Sequence, residues 1–313
     1  MIDVLTIGLT TLDILGYPID KLPAEDRGEL ISGIDVVPAG TAGGFALVAA
    51  VLGLKTQLIS ALGDDRVGRF VRMVLDEHGV DTSLVPVLPG LPSSATILPI
   101  DSQGRRPTLH APGAAMLTEV TEAAIAAAAK ARYVHWAAIG GMRIDPEARA
   151  RFLQAARDGG AGVSCDLIAP GPGAAAELAA VLPFVDVFMP SLTEALQVTG
   201  AASAEAAATA LLAMGARRCI VKLGAAGVLL ASAEGFATIP AFRVEVVDTT
   251  SCGDAFCAGF VAGQLQGWDV AQSARFGAAT SAMVAQGLGT LGRLERFEQV
   301  LSAVGTLPVR SVA

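Results

Sequence analysis

Asp248-Thr249-Thr250-Ser251-Cys252-Gly253-Asp254-Ala255-Phe256 interrupts a chain otherwise rich in aliphatic side chains. Its small residues, Ser251, Cys252 and Gly253, precede a helix-like segment, AFCAGFVAGQLQG, over 255–267. Small side chains let successive backbone N–H groups face one concavity, and the helix adds the positive end of its dipole. Such a turn is an anion hole that needs no Lys or Arg. Asp254 sits at its rim. A carboxylate there either caps the helix or takes a proton from a hydroxyl while the hole holds charge on a transferring phosphoryl group. Spacing alone leaves both readings open. Cys252 also reads two ways, as a small residue fitted to the hole or as a helix-terminal thiol of lowered pKa.

Outward from this run the chain alternates short apolar segments with helix-like ones. Strands are predicted at 2–8, 56–62, 132–137, 162–166, 185–189 and 218–223. Helices are predicted at 42–53, 66–78, 119–130, 146–157, 173–181 and 191–213. This alternation predicts an α/β fold with a mostly parallel central sheet and helices on both faces. Ligands in such folds collect at the carboxyl ends of the strands. Two stretches, about 27–37 and 93–111, look extended with no helix between. The second contains the turn Asp101-Ser102-Gln103-Gly104. A small β-flap, or lid, is the expectation. Arg105 and Arg106 on it are either a solvated hairpin edge or ligands for an acidic or phosphorylated sugar. No linker divides the chain, so residues 1–313 read as a single domain.

Of the 313 residues, 52% are hydrophobic and 17% charged, which excludes a disordered chain. A net charge of −8 argues against a broad nucleic-acid surface. No apolar run is long enough to span a membrane. The N-terminus, MIDVLTIGLTTLDILG, lacks a basic leader. The cysteines, Cys165, Cys219, Cys252 and Cys257, form no metal-like grouping, and a reduced, cytoplasmic setting is expected. His78, His110 and His135 are scattered and read as ordinary structural or surface residues. Gly287-Leu288-Gly289-Thr290-Leu291-Gly292 fits a dinucleotide fingerprint but lies after a helical stretch, the wrong context. Neither a P-loop nor a nucleophile-elbow motif is present.

The 248–256 run resembles the C-terminal signature, D-T-x-x-x-G-D-x-F, of the ribokinase-like (PfkB) family of sugar and nucleoside kinases. Pro38-Ala39-Gly40-Thr41-Ala42-Gly43-Gly44-Phe45-Ala46 is similar to its N-terminal signature, about 200 residues earlier. The resemblance spans nearly the whole chain and implies a three-layer sandwich with a lid. It implies ATP as phosphoryl donor with Mg2+, and K+ in some members. It assigns Asp254 as general base and the amides of Ser251, Cys252, Gly253 and Asp254 as the anion hole. Asp13 would grip substrate hydroxyls, with Gly40, Thr41 and Gly44 in the loop beneath the substrate. Ser191 and Glu194 match an N-x-x-E motif, Glu194 acting on magnesium through water. Lys222, Gly224 and Gly227 match the strand-turn beside the nucleotide, where Lys222 either neutralises phosphate or is a strand-end surface lysine. Asp248 and the 287–290 loop match the neighbourhood of a monovalent cation.

The chain departs from the family pattern at Thr11, Ala39, Gly44 and Ser191, where members commonly carry Asn, Gly, Asn and Asn. These changes leave phosphoryl chemistry in place and bear on the acceptor. The expectation is phosphorylation of a hydroxyl, by preference a primary one, of a sugar or sugar-like small molecule. The alternatives are a nucleoside kinase, Gly44 leaving room for a base, and a non-catalytic binding protein that kept the fold. The exposed lid edge suggests a homodimer through the lid.

Overall fold

The structure is a computed structural model that describes residues 1–140, 142, 144–167 and 170–310. In chain order the strands are β1 (Val4–Gly8), β2 (Thr11–Tyr17), β3 (Gly33–Ala39), β4 (Thr56–Ile59), β5 (Leu62–Gly63), β6 (Asp81–Leu84), β7 (Val87–Leu88), β8 (Ala95–Pro99), β9 (Leu109–Ala111), β10 (Tyr133–Ile139), β11 (Gly162–Leu167), β12 (Val187–Phe188), β13 (Arg218–Lys222), β14 (Val228–Ser232) and β15 (Gly235–Ile239). The α-helices are α1 (Gly43–Val51), α2 (Arg66–Glu77), α3 (Glu122–Ala128), α4 (Pro146–Asp158), α5 (Ala174–Val181), α6 (Leu192–Thr199), α7 (Ala204–Ala213), α8 (Cys252–Leu265), α9 (Val270–Val284) and α10 (Phe297–Thr306).

Nine strands form the central sheet in the order β15-β14-β13-β12-β11-β10-β1-β4-β6. It is parallel from β13 through β6, and β14 and β15 close one edge as an antiparallel hairpin. The period-two alternation of a strand sorts its side chains between two faces. Leu5 and Ile7 of β1 join Trp136, Phe152 and Leu153 and the α3–α7 side. Val4 joins Phe45, Val48, Phe256 and Phe260 on the side of α1, α8 and α9. Every residue of β10 is buried, as expected of a strand covered on both faces. This is the expected three-layer α/β sandwich.

A second sheet of four strands, ordered β3-β2-β8-β9, stands beside the first and is the lid. Its third layer of core, with Leu12, Leu15, Leu47, Val71 and Leu98, welds it to α1 and α2. The lid begins later than expected, since 27–32 are not strand, and it contains β2, a strand that the predicted alternation does not include. β2 was hidden because only the two-residue connection Leu9-Thr10 separates it from β1. The segment 191–213 is two helices, broken where Gly200 takes a left-handed φ of 69° at the end of α6.

Local chemistry fixes the helix that matters most. α8 packs against α9 at very short range. A Cβ at Gly259 would lie 2.3 Å from Thr280 Oγ1, and one at Gly277 would lie 2.7 Å from the Phe256 carbonyl. Backbone-on-backbone packing of this kind holds the start of α8 rigidly at the carboxyl end of the sheet.

Candidate active site

A cleft of about 850 Å³ opens between the carboxyl ends of the central strands and the inner face of the lid. Its floor is the first turn of α8. Ser251 takes a left-handed φ of 53°, which sends the chain sharply from the 248–250 loop into the helix. Among the described residues, no acceptor is found for the backbone N–H groups of Ser251, Gly253 and Asp254, which are free as first-turn donors are. The Cys252 N–H is directed to the Thr249 carbonyl at 3.3 Å and is the one expected anion-hole amide that is occupied.

Asp254 lies in this first turn but accepts no capping hydrogen bond; Ser251 occupies the N-cap position. The capping reading of Asp254 therefore falls. Burial pushes its carboxyl up to about 7, and the nearby Asp166 charge adds to the push, while Lys222 and the Ser251 hydroxyl pull it back. A base with that affinity for a proton is matched to neutral pH. Cys252 is no activated thiol. Burial drives its pKa up to about 12, with Sγ 3.7 Å from the Ser281 carbonyl.

The acceptor end is built by the lid. Asp13 projects from β2, is buried, and keeps one carboxylate oxygen, Oδ1, without a hydrogen-bond partner among the described residues. Desolvation raises its pKa to about 6, with Thr96 and Arg106 opposing. Beside it the Thr11 and Thr96 hydroxyls lie 3.2 Å apart, and Thr96 in turn meets His110 Nδ1 at 3.1 Å. Thus His110, read as an ordinary histidine, lines the cleft, whereas His135 stacks on Phe45 in the core and His78 is exposed on the surface.

Gly40 and Thr41 line the cleft as expected, and the Thr41 hydroxyl donates to the Ala137 carbonyl at 2.7 Å. Gly44 is buried at the edge of the cleft, where an added Cβ would sit 3.1 Å from Asp254 Oδ2 and 3.2 Å from Ser251 Oγ, two side chains that line it. Its lack of a side chain makes space for the Asp254 carboxylate.

At the other end, Lys222 is no surface lysine. It is mostly buried at the end of β13, and its Nζ donates to Asp166 Oδ2 at 2.6 Å. Desolvation works against its charge, but Asp166, Cys257 and Glu194 hold its pKa above the ordinary lysine value. Ser191 caps α6 and forms a capping box with Glu194: the Ser191 N–H donates to Glu194 Oε2 at 2.7 Å, and the Glu194 N–H to Ser191 Oγ at 3.3 Å. Gly224 lines the cleft, as does Gly227, whose φ of 99° is required by the chain itself: a Cβ there would run into the Ile239 carbonyl. Val228, Phe242, Val244 and Ala282 give this end an apolar wall.

The two loops expected near a cation do meet. Asp248 Oδ1 accepts from the Thr250 N–H at 2.8 Å and from its hydroxyl at 2.7 Å, and Oδ2 accepts from the Gly289 N–H at 3.0 Å. Asp248 is thus a staple between the 248–251 turn and the 287–290 loop. Among the described residues no three His, Cys, Asp or Glu side chains gather to hold a metal by themselves.

Sequence reasoning missed Asp166, a charged residue at the end of the apolar strand GVSCDL, where the carboxyl-end rule points. It left Arg106 undecided. Arg106 lines the cleft, and its Nε donates to Thr249 Oγ1 at 3.0 Å, while Arg105 turns away and pairs with Asp101 at 2.5 Å. No described helix is long and apolar enough to cross a membrane.

Comparison with known proteins agrees with this geometry. The model of the pfkB family of carbohydrate kinases matches residues 1–295. Aminoimidazole riboside kinase of Salmonella typhimurium is 31% identical over 246 residues, covering 74% of this chain and 76% of that protein. Nucleoside kinase of Methanothermobacter thermautotrophicus is 27% identical over 292 residues, covering 92% and 91%. The fold is also that of Arabidopsis thaliana ribokinase complexed with ribose and ATP, with a TM-score of 0.78, 22% identity, and coverage of 97% and 98%. With both signatures in place around one cleft, the chain belongs to the pfkB family of carbohydrate kinases.

Proposed function

We propose that this kinase transfers the γ-phosphoryl group of ATP to a hydroxyl, by preference a primary one, of a sugar or sugar-like small molecule. The observation that carries this reading is the placement of Asp254: a buried carboxyl of raised pKa beside three unoccupied backbone N–H groups at the start of α8. The base takes the acceptor proton as the oxygen attacks, and the amides hold the charge that develops on the transferring group. Asp13 supports the same reading from the acceptor side. Its buried, unpartnered oxygen is an acceptor waiting for a hydroxyl, and an unsatisfied buried acceptor is costly until one arrives.

ATP as donor is supported by the family and by the ATP in the Arabidopsis thaliana ribokinase structure. Magnesium fits the nucleotide end: Glu194 spends one oxygen on its capping box, the other has no partner among the described residues, and magnesium is held largely by phosphate and water. When bound it neutralises phosphate charge, with Glu194 reaching it through water. Potassium finds no such orphaned atom at Asp248, whose two oxygens both accept hydrogen bonds from the loops.

A nucleoside acceptor is a second reading. Leu9, Leu98 and Met116 line the acceptor end beside Asp13 and offer an apolar surface on which a base can lie. The Salmonella and Methanothermobacter relatives are named for riboside and nucleoside substrates. One experiment tests both: ADP release measured with ATP and magnesium over sugars, sugar acids, sugar phosphates and nucleosides. Turnover with one class assigns the acceptor; no turnover with any overturns the reading in favour of a binding protein.

The lid supports a dimer. Val36, Ile14, Ile97 and Leu109 stand in one cross-strand row on β3, β2, β8 and β9, all exposed, with Ile34 beside them. A contiguous apolar row on a sheet face calls for a cover, and the same row on a second copy is an apolar partner for it. Sedimentation should give a dimer that Ile97→Lys converts to monomer.

A further inference from the structure

Asp166, Lys222 and Cys257 form a buried cluster directly under the first turn of α8. Asp166 is fixed by three donors. Its Oδ1 accepts from the Leu167 N–H at 2.8 Å, and its Oδ2 accepts from Lys222 Nζ at 2.6 Å and from the Cys257 thiol at 3.3 Å. It therefore has little freedom to move. Lys222 has three ammonium hydrogens. One is given to Asp166, and a second lies toward Cys257 Sγ at 3.7 Å. The third side of the ammonium faces the Gly253 turn: Nζ is 3.4 Å from the place a Cβ on Gly253 would occupy. Lys222 and Asp166 both line the cleft at that point.

We propose that Asp166 is a positioning residue that holds the Lys222 ammonium against the 251–254 anion hole, so that Lys222 binds the terminal phosphate of ATP. This rests on the ATP-dependent reading above. Asp166 touches no phosphate; it acts through Lys222. A lysine on a flexible four-carbon stem is a poorly directed point charge. Pinning it from β11 turns it into a directed donor, and its remaining N–H complements backbone amides that carry only partial charge. The position beside Gly253, rather than beside the apolar wall at Phe242, assigns the contact to the transferred phosphate rather than to the base end of the nucleotide.

The experiment is MgATP and MgADP binding by titration calorimetry to the full chain, which requires no knowledge of the acceptor. Lys222→Met and Asp166→Asn should each weaken ATP by about tenfold or more, the scale of a lost charge-assisted hydrogen bond. ADP, lacking the terminal phosphate, should change by less than about threefold on the same scale. The double variant should bind ATP no worse than Lys222→Met alone, since Asp166 has nothing left to position. Where Asp166→Asn fails to fold because it leaves a buried ammonium unpaired, the double variant, with no unpaired charge, replaces it in the comparison. Additive losses in the double variant, equal losses of ATP and ADP, or wild-type ATP affinity in Asp166→Asn would each overturn the proposal. Absence of ATP binding by the wild-type chain would instead overturn the ATP-dependent reading itself.

Discussion

Arg106 Nε donates a hydrogen bond to Thr249 Oγ1 at 3.0 Å, joining the lid to the loop that leads into α8. The bond spans 143 residues of sequence and crosses the mouth of the cleft. Arg106 also opposes the desolvation of Asp13. From an exposed position it therefore bonds the loop before α8 and acts through its charge on Asp13. Arg106→Ala should raise the acceptor KM by about tenfold, the cost of roughly one charge-assisted hydrogen bond. Folding should be unaffected, because the side chain is exposed. Steady-state kinetics with the acceptor identified by the panel checks this, and an unchanged KM would return Arg106 to the solvated hairpin edge.

Asp254 as the base should set the pH profile. With its carboxyl pushed up to about 7, the ionised base is scarce below neutrality. Activity should therefore fall on an acid limb with an apparent pKa near 7, about tenfold over the first pH unit below it and more steeply below about 6, where Asp13 also takes up a proton. Lys222, whose pKa is raised, stays charged across this range and adds no limb of its own. Asp254→Asn should lower kcat by about a thousandfold or more while ATP binding persists. Retained turnover in that variant would remove Asp254 from the mechanism.

Asp13 should divide the kinetic constants differently. Its unpartnered oxygen is on the acceptor side, remote from the apolar wall of the nucleotide end. Asp13→Ala should raise the acceptor KM by about a hundredfold, as expected where a buried charged acceptor loses its hydroxyl partners. ATP affinity measured by calorimetry should stay within about twofold. An equal loss at both sites would mean that Asp13 holds the lid together rather than the substrate.

Much of this was legible from residue types alone. The small-residue turn before an apolar helix marked the free amides at the start of α8, and the strand–helix alternation marked the sheet. Other parts resisted for physical reasons. β2 was hidden by a two-residue connection, so no strand is predicted where Asp13 lies. Asp166 gives no local signal beyond its place at a strand end, because its partner Lys222 lies 56 residues away. Ser191-x-x-Glu194 is a capping box that sequence does carry, but the resemblance to an N-x-x-E motif drew attention to phosphate instead. Gly44 gives no sign in sequence of what its missing side chain would meet, because its neighbours Asp254 and Ser251 are brought to it only by tertiary packing.

The stability of the protein should carry the mark of its base. In the folded chain Asp254 keeps its proton to about pH 7, whereas an unfolded aspartate releases it near 3.8. Between those values the native state binds more protons than the unfolded state, so this group makes stability fall as pH rises through the window. Above about pH 7 the full cost persists, because a carboxylate is then held without water at the floor of the cleft. Asp254→Asn removes the charge and should raise Tm at pH 8 by several degrees, since the rise in pKa from 3.8 to about 7 corresponds to about 4 kcal/mol of native-state cost above pH 7. At pH 3, below both values, the two proteins should melt together. Thermal denaturation across that range checks the sign. A variant less stable than wild type at pH 8 would mean that the ionised carboxylate is well satisfied in the fold, and that the raised proton affinity on which the mechanism depends is absent.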